Sequence, residues 1–207
     1  MHPQVERNKS ILQKYIPEST VFTVAMWVHQ YDFKLKIKKS RSTKLGDYRH
    51  PIAGQNHQIT INHDLNKYAF LITLIHEVAH LTCWLKFKNS VKPHGDEWKK
   101  EYHLLIDPFI KAAVFPEDIT HALIKHFKNP KASSCTDVHL YSVLKKYDTR
   151  NSNHLFVKDL PNSALFETKE GRVFKRGEKV RTRYKCVEQS TGRVYLFSPL
   201  ADVLLKN

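Results

Sequence analysis

LITLIHEVAHLTCWLKFKNSVKPHGDEWKK, residues 71–100, is the stretch whose reading decides this fold. Leu71, Leu74, Ile75, Val78, Leu81 and Leu85 recur at helical spacing, so a helix running from about Asn66 is expected to turn one apolar stripe to the core. Lys86, Lys88 and Asn89 suit its C-terminal end, where basic groups meet the negative pole of the helix. Inside it stands His76-Glu77-Val78-Ala79-His80. Histidines four residues apart leave one helix face a turn apart, so both imidazoles can hold the same zinc ion. Glu77, beside the first of them, is placed to reach a water molecule rather than the metal. A catalytic zinc takes three protein ligands and leaves its fourth position to water. The third is expected at His94, because a turn at Pro93 and Gly95 can return the chain to the helix while Trp98 anchors the next one; Asp96, Glu97, Glu101 and His103 are competing donors. Of the remaining histidines, His29, His57, His121, His126, His139 and His154 read as surface or core-satisfied residues.

Upstream, residues 4–15 and 17–30 read as two short helices, and Phe33-Lys34-Leu35-Lys36-Ile37-Lys38 alternates as a strand with one basic face. RSTKLGDYRHPIAGQNH, residues 41–57, reads as turns or a hairpin, and alternation resumes at Gln58–Asn62 as another strand. An extended substrate is expected to pair along the edge of that strand. Downstream, Trp98, Tyr102 and Leu105 share a helix face until Pro108, and Pro116 opens a helix over residues 117–127. Residues 1–128 thus read as one α+β domain, and residues 129–153 as a linker with one short helix around Val138, Tyr141 and Leu144.

From residue 154 to 207, short alternating runs broken by PNS, KEGR, KRGEK and QSTGR read as a small antiparallel β-module of about five strands. Seven basic residues fall between Arg172 and Lys185, opposed only by Glu178. Arg181, Arg183 and Lys185 would share one strand face, as a reader of phosphates requires, which makes DNA or RNA an expected partner.

Composition sets the outer limits. Hydrophobic residues make up 41% of 207, enough for a packed core, and 34 Lys+Arg against 20 Asp+Glu give a formal charge of +14, which favours polyanionic partners. The longest strictly apolar runs fall short of the roughly 20 residues that cross a bilayer, so no membrane partner is expected. The charged start lacks a signal-peptide pattern, and three cysteines without C-x-x-C spacing fit a reducing cytoplasm.

Residues 74–100, with the strand-turn-strand before them, resemble the SprT-like metallopeptidase family over roughly residues 11–128. The resemblance implies a zincin-like domain in which His76, His80 and His94 ligate zinc and Glu77 is the general base of peptide hydrolysis, on protein substrates that include nucleic-acid-associated ones. Tyr48 and Arg49 are candidates for steadying the oxyanion. Family members related to the Spartan proteases add a four-cysteine zinc ribbon, which the single Cys186 of the C-terminal module cannot build, so one zinc per chain is expected. The other reading is a nucleic-acid- or transcription-associated binding protein that uses the same scaffold with negligible turnover.

Overall fold

Two short helices lead the chain: Pro3–Leu12 (α1), and Val21–Gln30 (α2), which is entered through a 3-10 turn at Glu18–Thr20. The computed structural model describes residues 2–41, 44–52, 54–128, 137–148 and 154–206. They divide into two compact units, Met1–Asp148 and Thr149–Asn207. The linker composition at 129–135 lies outside the described residues.

Phe33–Lys38 (β1), Gly46–Arg49 (β2) and His57–Asn62 (β3) form a sheet in the order β1-β3-β2, with β1 parallel and β2 antiparallel to β3. This overturns one expectation. Gln58–Asn62 lies in the central strand, bonded on both sides, and the edges are β1 and β2, the second of which the sequence hid among turn residues. Ile59 and Ile61 are fully buried and Leu35, Ile37 and Tyr48 pack on the same core, so the alternate residues Lys36, Thr60 and Asp47, paired across the sheet, mark the outer face.

Lys67–Phe87 (α3) carries the central motif. Asn66 caps it by accepting the Ala69 N–H at 3.0 Å, while its amide donates to the Leu144 carbonyl at 2.8 Å and to Asp148 at 2.7 Å. The expected stripe is replaced by burial on every side: Phe70, Leu71, Ile72, Leu74 and Ile75 are all inaccessible, whereas Leu85 is 41% exposed. A helix apolar all round is one enclosed by other elements. By length and composition α3 could cross a membrane, but 78% of that stretch is buried within the protein.

Asp96–Lys111 (α4) continues through Pro108 instead of stopping there. Proline in the last turn withdraws a hydrogen bond only from the Leu104 carbonyl, on a residue turned to solvent. Glu117–Lys128 (α5) and Val138–Lys145 (α6) complete the unit. The Asp137 carboxylate caps α6 through the His139 and Leu140 N–H groups and meets the buried His126 of α5 at 2.8 Å.

Among the described residues the second unit is a sheet of six strands rather than five: His154–Phe156 (β4), Leu165–Glu167 (β5), Val173–Val180 (β6), Arg183–Glu188 (β7), Val194–Phe197 (β8) and Asp202–Lys206 (β9), in the order β4-β9-β5-β6-β7-β8. Its core is Val157, Leu160, Phe166, Phe174, Tyr184, Cys186 and Val203. Cys83 and Cys186 are both buried free thiols.

Candidate metal centre

One face of α3 and the turn that opens α4 bring His76, His80 and His94 together. The first two follow from helix geometry, with ring centroids 5.0 Å apart. His94 arrives because the chain reverses at residues 92–95, where the Gly95 N–H donates to the Lys92 carbonyl at 2.9 Å and His94 takes the left-handed conformation at φ 58°. A Cβ on Gly95 would stand 3.0 Å from the Lys92 oxygen, so glycine keeps the turn tight. Trp98, one turn into α4, packs its ring against all three imidazoles at centroid distances of 4.7, 5.2 and 4.7 Å, and Tyr102 stacks behind it.

The ring nitrogens face inward. His94 Nε2 stands 3.2 Å from His76 Nε2 and 3.0 Å from His80 Nε2. A tetrahedral zinc with Zn–N bonds of about 2.0–2.1 Å separates its nitrogens by about 3.3–3.4 Å, so the three donors fit such an ion. Three converging imidazole nitrogens cannot all satisfy one another by hydrogen bonding, since a neutral ring offers one donor and one acceptor. Burial first, and for His76 and His80 the repulsion that protonating adjacent imidazoles together would bring, hold these rings neutral; His76 lies well below the usual range, His80 is pushed down to about 3 and His94 is lowered by burial. Neutral imidazole is the form that binds a metal.

The other donors are elsewhere. Asp96 pairs with Lys99, Glu101 with Lys86 at 2.6 Å, and His103 packs on Phe127. Among the described residues, His76, His80 and His94 form the one group of three able to hold a metal.

Glu77 is buried against β2. A Cβ on Gly46 would lie 2.7 Å from Glu77 Oε1 and 2.7 Å from Thr73 Cγ2, so only glycine lets the edge strand come this close. The carboxyl accepts the Tyr48 backbone N–H, but burial and then the Asp47 charge dominate and push it up to about 8. The Tyr48 ring lies parallel to His80 at 6.5 Å, and its hydroxyl meets His57 Nδ1 at 2.9 Å. Arg49 turns to the outer face and pairs with Asp47 at 3.1 Å, away from the histidines. Gly46 carried no chemical signal in the sequence, and the approach of β2 to Glu77 depends on tertiary packing.

The basic residues of the second unit do not share one face. β7 begins at Arg183, so Arg183 and Lys185 point outward, whereas Arg181 sits in the β6–β7 turn at φ 56°. Arg176 is buried and donates to the Val157 carbonyl, and Arg172 pairs with Glu188 at 2.7 Å. Both serve the β-core.

Comparison with protein families matches residues 17–121, just over half of the chain, to the SprT-like family. Comparison with curated proteins and with solved structures gives no match.

Proposed function

The chain belongs to the SprT-like family, and on that premise we propose that it is a zinc-dependent peptidase of zincin-like architecture acting on protein substrates. The convergence of His76, His80 and His94 beside the Glu77 carboxylate carries this reading. Zinc held by the three imidazoles would supply a Lewis acid that acidifies water and polarises a scissile carbonyl. Glu77 is the general base: it takes a proton from the attacking water and returns it to the leaving amine. The Tyr48 N–H and the close seat of Gly46 orient that carboxyl.

The edge of β2, unpaired among the described residues, offers backbone groups to an extended peptide, and main-chain pairing of this kind selects little by side chain. Tyr48, on the same strand, lies with its ring parallel to His80 while Arg49 turns to the outer face, which supports Tyr48 over Arg49 as the group that steadies an oxyanion. The outward Arg183 and Lys185 support a phosphate contact by the second unit, and hence substrates that associate with nucleic acid.

The test is proteolysis by wild type and Glu77→Gln, each zinc-loaded, with and without single- and double-stranded DNA. Cleavage by wild type and none by the variant is expected. Equal cleavage by both overturns the mechanism. Zinc binding without cleavage of any substrate, with or without DNA, would instead make the chain a binding protein on a metallopeptidase-like scaffold.

A further inference from the structure

The outer face of the N-terminal sheet opens into a cavity of about 920 Å³. By alternation β1 turns Lys34, Lys36 and Lys38 to that face at a repeat of about 6.6–6.8 Å, the advance of two strand residues, with Lys34 beyond the cavity's lining. Lys36, Lys38, Lys39 and Arg41 line the cavity, and none of them has a carboxylate partner among the described residues. The single acidic residue in the lining is Asp47, already held by Lys44 at 2.6 Å and Arg49 at 3.1 Å.

Arg41 is built into this face. Its Nε donates to Asn62 Oδ1 at 2.8 Å and its Nη1 to Thr60 Oγ1 at 3.0 Å, while the Asn62 amide donates back to the Arg41 carbonyl at 3.2 Å. Its remaining nitrogen, Nη2, is buried with no hydrogen-bond partner among the described residues. A guanidinium fixed in this way loses little freedom when an oxyanion arrives.

We infer that this groove binds the phosphodiester backbone of single-stranded nucleic acid. One small anion would use only the Arg41 fork, whereas a row of lysines at constant pitch suits a chain of anions and the counterion release that comes with it. The volume encloses a few nucleotides of one strand and is too small for a duplex. An acidic polypeptide matches the sign of charge, but its carboxylates meet the lysine repeat only where every second residue is acidic, whereas every nucleotide of a strand carries a phosphate. Gln55 and Gln58 in the lining offer amides that accept from or donate to any base, in keeping with sequence-tolerant binding. β2 separates this groove from the histidine cluster, with Asp47 and Arg49 on the groove side and Gly46 against Glu77 on the other. The inference goes beyond the peptidase reading and does not depend on it.

Fluorescence anisotropy of the full, zinc-loaded chain with a labelled oligothymidylate of about twelve residues tests it, over roughly 50–200 mM salt. Combined Lys36→Ser, Lys38→Ser and Lys39→Ser substitution should weaken binding at least tenfold at low salt and lower the log–log salt slope by about 2, at ~0.7 per lost contact. Zinc content should not change. Lys38→Ser alone, at an exposed position, should lower the slope by about 0.7 and keeps the test open if the triple variant misfolds. Unchanged affinity and slope in these variants would overturn the inference. So would loss confined to an Arg181→Ser, Arg183→Ser, Lys185→Ser variant, competition by polyglutamate equal to that of the oligonucleotide, or tighter binding of a duplex of the same length. Absence of proteolysis would leave all of these readouts intact and would count against the peptidase reading alone.

Discussion

Gly46 is the residue on which the seat of Glu77, the proposed general base, depends, since any side chain there would occupy the space of the Glu77 carboxyl and the Thr73 methyl. Gly46→Ala should therefore push β2 away, destabilise the fold by about 1–3 kcal/mol and cut peptide hydrolysis while leaving zinc bound; thermal melts and metal analysis check it. Glu77→Gln keeps the shape and the acceptor for the Tyr48 N–H but loses the base, so turnover should fall by about 10²–10⁴-fold at full zinc occupancy. The same substitution has a pH signature in metal-free protein. With its carboxyl raised from 4.5 to about 8, native Glu77 binds more protons than the unfolded chain between those values, so wild-type stability falls as pH rises through that window. Chelated Glu77→Gln should melt higher than chelated wild type above about pH 5, with the gap growing toward pH 8; a gap independent of pH would contradict the assignment. His94→Ala should remove zinc, and full occupancy in that variant would reopen the ligand set.

Among the elements, α6 shows how a short helix is held. Burial alone would raise the Asp137 carboxyl, but hydrogen bonds from His126 and from the Leu140 and His139 N–H groups outweigh it, and the net shift is downward. Its contribution is therefore present above the unfolded value of about 3.9 and is lost as pH falls below it. Asp137→Ala removes the cap and leaves His126 buried without its partner, so a loss of about 1–3 kcal/mol near pH 7 is expected, shrinking below about pH 4; melts across pH measure it. What was legible in the chain follows from the range of the interactions. The His76–His80 pair and the alternation of β1 are set by neighbours a few residues away, and both stand as read. β2 was hidden because four residues beginning with glycine have no period, and they become a strand only against β3 and α3. α3 read as amphipathic because apolar spacing cannot distinguish a helix covered on one side from one enclosed on all sides. Pro108 read as a stop because its position in the final turn depends on where α4 ends. Arg41 carried no signal, since Thr60 and Asn62 reach it only across the sheet.

On the scale of the whole molecule, the two units have separate apolar cores with no residue in common. Zinc bound by the native N-terminal unit should stabilise that unit alone, by about 2.7 kcal/mol when free metal is a hundredfold above its dissociation constant. Calorimetry should then resolve two transitions, of which chelation lowers one and leaves the other in place; a single transition that moves as a whole would refute this. The complete burial of α3 also has a consequence during synthesis. Residues 67–87 leave the ribosome before Trp98, Ile106, Ile119 and Leu123, which belong to the same buried cluster. At about 5–20 residues per second, that delay lasts roughly 2–7 s. For those seconds the nascent chain displays a helix apolar enough for a translocon or a holdase to accept, and its fate is decided by whichever arrives first: that machinery, or the chain's own next helices.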